Sequence, residues 1–174
     1  MVDESGVLER LCLEGFQSGL SWLTILRKRP AFRAAFAQFD PAKVARFGAR
    51  DVERLLGDAR IVRHRGKITA TITNARAVVA MHDRGESLAG LVWSFADSPR
   101  RRAPRELGDV PPTTPASVAL SKALRAQGLV FVGPTTVYAA MQAMGVVNDH
   151  LVGCHARRQC IEARANITIP TTNV

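Results

Sequence analysis

The chain has 174 residues, 47% of them hydrophobic, and a formal net charge of +9. That length fits one domain with an ample core, and no apolar run reaches the roughly 20 residues of a membrane span. The cationic excess favours a polyanionic partner, while three cysteines, Cys12, Cys154 and Cys160, argue against a disulfide framework and for a reducing cytoplasm.

Val7, Leu8, Leu11 and Phe16 recur at helical spacing and predict a first helix from about Ser5 to Gln17. A second begins near Ser21 with Leu23, Ile25 and Leu26, and Pro30 is expected to interrupt it. Phe32 to Phe39 reads as a further short helix. Asp40-Pro41 is a start signal, a capping carboxylate followed by a proline suited to the first helical position. Asp51 to Leu56 is short and helical, and Gly66 to Met81 is the longest candidate, its buried stripe marked by Ile68, Ile72, Ala75 and Val79. Leu88 to Phe95 is a short apolar helix, and Ser98 to Pro112 an exposed Pro- and Arg-rich loop. Thr114-Pro115 opens a helix that Gly128 stops, and a turn over Leu129–Val132 leads into a new helix at Gly133-Pro134. The reading is all-α, with a domain over 1–154 and an irregular or mobile tail over 155–174.

Three stretches carry chemistry. Leu13 to Trp22 places Glu14 among apolar neighbours, and a carboxylate there is costly unless it accepts hydrogen bonds or a proton. It reads either as an acceptor for a ligand's N–H groups or as a solvated capping residue. Trp22 reads either as a stacking face for a base or as core. The helix start at Gly133, with Thr135 and Thr136, offers N–H groups and hydroxyls to a phosphate, or is an ordinary connection between two helices. His150 and Cys154, four apart, can supply two zinc ligands from one helical face, and His155 and Cys160 lie near enough in sequence to be considered beside them. The basic run Arg63 to Lys67 precedes the longest helix and reads as a phosphate contact or a solvated face.

LCLEG-x-QSGLSW, then RKRPAFRAAFAQFDPAKVA, DVERLLGDARIVRHRGKITATITNARA, VWSF and SKALRAQGLVFVGPTTVYAAMQAMGVVNDHLVGC together resemble the 3-methyladenine DNA glycosylase I family, from about Leu8 to Cys154. The resemblance implies a helical glycosylase domain with a helix–hairpin–helix, working as a cytoplasmic monomer on double-stranded DNA that contains alkylated bases. It implies that Glu14 is the catalytic and base-binding carboxylate and that Trp22 stacks on the base. Gln17, Gly19 and Leu20 would lie near the gap left in the DNA, and Val132, Gly133, Thr135 and Thr136 would hold one strand by its backbone. Asp149 follows the hairpin, but its neighbour His150 implies a metal-site role for this segment, and Asp149 is not assigned to catalysis. Arg60 stands where similar sequences often have Gly. His150 and Cys154 would form half of a structural zinc site whose partner ligands lie in an N-terminal C-x-W and Y-H-D-x-E-W-G segment not found in this sequence. Weak or absent zinc and a pocket open on one side are therefore expected. The rival expectations are a noncatalytic DNA-binding remnant and a fragment without function.

Overall fold

In the computed structural model, which describes residues 1–97 and 102–172, the pivot is α1 (Glu4–Gln17). Every residue from Val7 to Phe16 is buried, so this helix is covered on all sides rather than along one stripe. The Asp3 carboxylate starts it by accepting the Gly6 N–H at 2.7 Å. Around it pack α2 (Trp22–Ala35), α3 (Pro41–Val44), α5 (Arg65–His82), α6 (Leu88–Trp93) and α8 (Pro134–Met144). α4 (Ala49–Gly57) covers α5, and α7 (Pro115–Ala126) packs on α8. No strand occurs among the described residues, in agreement with the all-α reading. None of the described helices is long and apolar enough to cross a membrane.

The start signals act as read. Asp40 accepts the Ala42 and Lys43 N–H groups at 3.0 and 3.2 Å, ahead of Pro41. Thr114 and Ser117 cap each other's backbone ahead of α7, with Pro115 at its first position. Pro30, by contrast, does not interrupt α2, which runs through it to Ala35. Pro30 and Leu26 are both exposed, so the Leu26 carbonyl that loses its donor four residues on faces water.

The short helix expected over Phe32 to Phe39 is also absent as such. Phe32 to Ala35 close α2, and Ala37, Gln38 and Phe39 then turn at φ of 49°, 59° and 56°. That left-handed turn buries Phe36 and Phe39 together, ring centroids 5.5 Å apart, against Phe32 and Phe16. Each such left-handed residue costs about 1–3 kcal/mol, and wholly burying the two rings, at about 1.5–3 kcal/mol each, offsets much of that.

The tail differs from expectation too. Residues His155–Ala165 form α9, with no buried residue to give it an apolar stripe. It is tied down instead by polar links: Arg157 donates to the Asn148 and His150 carbonyls, and Arg164 pairs with Asp97. Farther on, the Thr172 carbonyl accepts the Ser87 N–H at 2.9 Å. The chain there lies so close to α6 that a Cβ on Gly90 would stand 1.9 Å from the Thr171 carbonyl oxygen. Of the loop expected over Ser98 to Pro112, most of the described residues, 102–112, are exposed as read, with one 3-10 turn among them at Leu107–Asp109. Its residues 98–101, Arg100 and Arg101 among them, lie outside those described.

Candidate active site

The end of α1, the start of α2 and the end of α8 line an open cavity of about 610 Å³, a size suited to a small ligand. Glu14, Gln17 and Trp22 line one side, and Gln142, Val147, Asp149 and His150 line the other. The sequence places Trp22 here because Ser21 caps α2, its hydroxyl accepting the Thr24 N–H at 3.2 Å, which makes Trp22 the first helical residue. Between α1 and α2 the chain turns sharply. Gly19 sits at φ 82°, in the left-handed region, and Leu20 projects into solvent. Gln17 Nε2 donates to the Leu20 carbonyl at 2.9 Å, and Lys67 Nζ donates to the Phe16 and Ser18 carbonyls at 3.0 and 2.6 Å. The turn is thus braced from within and from α5.

Glu14 is 6% exposed. Burial pushes its carboxyl above the usual range, and Arg10 opposes that shift without cancelling it. Arg10 Nη1 stands 3.7 Å from Glu14 Oε1, beyond hydrogen-bond distance, so the carboxylate keeps its acceptor capacity on the cavity side. One turn earlier on α1, Glu9 is treated very differently. Burial would raise its carboxyl, but hydrogen bonds from Arg29 and Arg33, at 2.7–3.4 Å, hold it below the ordinary value. Across the cavity, Asp149 accepts from Tyr138 Oη and, at 3.0 Å, from Gln142 Nε2.

The connection between α7 and α8 is pinned by Asn74 of α5. Its side chain pairs with Val130 through both backbone groups, at 2.8 and 3.1 Å. Phe131, at φ 57°, is thereby held exposed in a left-handed conformation that aromatic residues seldom adopt. Ser121 Oγ fixes the Val132 carbonyl at 2.6 Å. Val132 itself is buried, its side chain in the core. Gly133, Thr135 and Thr136 lie at the accessible start of α8. In the Arg63–Lys67 run, Lys67 is consumed by the carbonyls of the α1–α2 turn and Arg65 pairs with Glu53 at 2.9 Å. Arg60 pairs with Asp58 and needs no left-handed φ, so a side chain is accommodated there.

His150 Nδ1 and Cys154 Sγ lie 3.7 Å apart, which suits two ligands of one tetrahedral zinc ion. Among the described residues no group of three or more His, Cys, Asp or Glu side chains gathers to hold a metal, and His155 and Cys160 do not join the pair. Cys12 is buried on α1, and burial pushes its thiol up to about 11.

The cavity unites Glu14, Gln17 and Trp22, which the sequence places in one stretch, with His150 from another. It also brings in residues that reasoning missed. Arg10, Lys67 and Asn74 support the site from outside its lining: the sequence shows Lys67 only as part of a basic run, the i,i+4 spacing of Arg10 and Glu14 is the signal for Arg10, and nothing local points to Asn74.

The model of the methyladenine glycosylase family matches residues 1–158 of this chain. DNA-3-methyladenine glycosylase 1 of Escherichia coli (strain K12) is 53% identical over 153 residues, covering 87% of this chain and 82% of that protein. A crystal structure of 3-methyladenine DNA glycosylase I superposes with a TM-score of 0.85 at 52% identity, covering 89% of this chain and 86% of the other. A variant of 3-methyladenine DNA glycosylase I, in complex with 3-methyladenine, superposes with a TM-score of 0.83 at 32% identity over 90% of this chain and 85% of that one.

Proposed function

The chain belongs to the methyladenine glycosylase family, and from that premise we propose that it is a DNA-repair glycosylase that hydrolyses the N-glycosidic bond of alkylated adenine, chiefly 3-methyladenine. The observation that carries this reading is Glu14, a buried carboxylate on the wall of a ligand-sized cavity with acceptor capacity left over, beside Trp22.

A base inside a duplex is out of reach, so the nucleotide must be turned out into the cavity. There Glu14 accepts the base's N–H groups and Trp22 stacks on its face. Gln17, Gly19 and Leu20 form a braced, projecting turn beside the cavity, placed to enter the space the nucleotide leaves. The start of α8, with Gly133, Thr135 and Thr136, grips the backbone of one strand through N–H groups and hydroxyls. An alkylated adenine is positively charged, which weakens its bond to the sugar, so binding and positioning supply most of what the reaction needs. Asp149, held by Tyr138 and Gln142, shapes the far wall. Zinc, where bound, is structural at His150 and Cys154 and takes no part in bond cleavage. The working form is a cytoplasmic monomer on double-stranded DNA.

Release of 3-methyladenine from alkylated duplex DNA tests the reading. Excision by the wild-type chain that is lost in Glu14→Ala supports it. Salt-dependent duplex binding with no excision would overturn it in favour of a noncatalytic DNA-binding protein.

A further inference from the structure

Arg10 is 8% exposed, and its buried Nε has no hydrogen-bond partner. Its guanidinium carbon lies 5.0 Å from the centre of the Trp22 ring, in cation–π contact, and Nη1 stands 3.7 Å from Glu14. Trp22 and Glu14 line the cavity and Arg10 does not, so a buried cation sits directly behind the two residues assigned to the base. Such a group is an expensive way to fill space. An apolar side chain would pack there without stranding an N–H, and replacing buried charge by well-packed apolar groups is often neutral or stabilising. The neighbouring charges do not cancel it: Glu9 is committed to Arg29 and Arg33, and Glu14 is only loosely paired.

Resting on the proposed glycosylase reading, we infer that Arg10 is a specificity-determining residue: it sets the pocket against a positively charged base and in favour of the neutral base that leaves. A base stacked on the cavity face of Trp22 lies about 3.5 Å from the ring. Two positive charges then stand about 8 Å apart across that ring, and at an effective dielectric near 20 this disfavours the cation by roughly tenfold to thirtyfold. The direction matters for the reaction. When the C1′–N9 bond breaks, its electron pair stays on N9 and cancels the base's charge. The positive charge passes to the sugar at C1′, where the oxygen of water adds and releases a proton to solvent. A cation behind the base therefore opposes the bound substrate more than the departing product, and part of the barrier is removed by destabilising the ground state.

The test uses two free bases: 3-methyladenine, neutral at mildly alkaline pH, and its N9-methylated derivative, which at the same pH is a cation, as the base in the nucleotide is. Affinities for both are measured by calorimetric titration on the full chain, every variant at the same mildly alkaline pH. Arg10→Met and Arg10→Gln should bind the cationic base tighter relative to the neutral one by roughly tenfold to thirtyfold. Arg10→Lys, which keeps the charge, should retain the wild-type ratio. In excision assays Arg10→Met should lower KM and kcat together. A ratio unchanged in both neutral variants, or an equal loss of both bases, overturns the inference and leaves the glycosylase reading standing. Failure of the wild-type chain to bind either base overturns both.

Discussion

Replacing Glu14 by glutamine keeps the shape of the side chain and removes its charge. The base then loses a charge-assisted hydrogen bond, worth about 1.5–3 kcal/mol. The glutamine carbonyl still accepts one N–H, so the loss falls toward the lower end, roughly tenfold in Kd for free 3-methyladenine. Stability should move the other way. Burial holds the Glu14 carboxyl above its ordinary range despite Arg10. An acid with a raised folded pKa binds its proton more tightly folded than unfolded. Ionised Glu14 therefore subtracts stability at neutral pH, and that stability returns as pH falls through the folded value. Glutamine carries no such cost, so the melting temperature of Glu14→Gln should match or exceed that of the wild type at neutral pH. The difference should vanish in acid. Titration of free 3-methyladenine, melting curves and duplex affinity at fixed salt separate these effects. Because Asp149 and His150 line the same cavity and Arg10 stands behind Glu14, the pH series is compared between wild type and variant rather than read from either alone. Unchanged base affinity in a folded Glu14→Gln chain would remove Glu14 from the site.

Three further outcomes follow from the geometry. Gly133 sits at φ −65°, and a Cβ there meets only the Arg125 guanidinium at 3.9 Å, so Gly133→Leu should fold; by crowding the start of α8 it should weaken duplex binding similarly for every sequence and flatten its salt dependence, and normal duplex affinity would contradict the strand-gripping role. Lys67→Met removes both braces from the turn that carries Gly19 and Leu20, so excision from duplex should fall severalfold while affinity for free base holds, and equal losses in both assays would place Lys67 in general stability instead. The 174-residue chain should lose zinc on dialysis against a chelator with little change in melting temperature, since two ligands of a tetrahedral set are in place; stoichiometric zinc retained against the chelator would show that other groups complete the site.

Helix starts were legible because they are local. Asp40-Pro41 and Thr114-Pro115 need only their own next few residues to act. What the sequence hid depends on which way a residue faces. Pro30 is read as a break, yet on the solvent side of α2 its missing bond costs little. Phe32 to Phe39 has helical spacing, yet burying Phe36 and Phe39 together favours a left-handed turn over another helical one. α9 was missed because it buries no apolar face, being held by Arg157 on the preceding segment and by Arg164 reaching Asp97, far from it in sequence. The cavity was half legible. Glu14 and Trp22 stand out by their chemistry, whereas Arg10 and Lys67 resemble any surface cation until their partners are known.

α1 also explains why the buried carboxylate can be maintained. Glu4, Glu9 and Glu14 recur every five residues, and at about 100° per residue each is turned roughly 140° from the last, so the three face different neighbours. Glu4 accepts the Leu88 and Ala89 N–H groups and the Ser87 hydroxyl at the start of α6, and pairs with His82 of α5. Glu9 is fastened to α2 by two guanidinium groups. Both anchor the helix against different neighbours, with their acceptor oxygens engaged by the fold. Glu14 lacks such partners, and the packing of Leu13 and Phe16 beside it prevents the helix from turning the carboxylate out into water. The first two carboxylates thus fix the orientation that keeps the third in the cavity, facing the place where a base's N–H groups complete it.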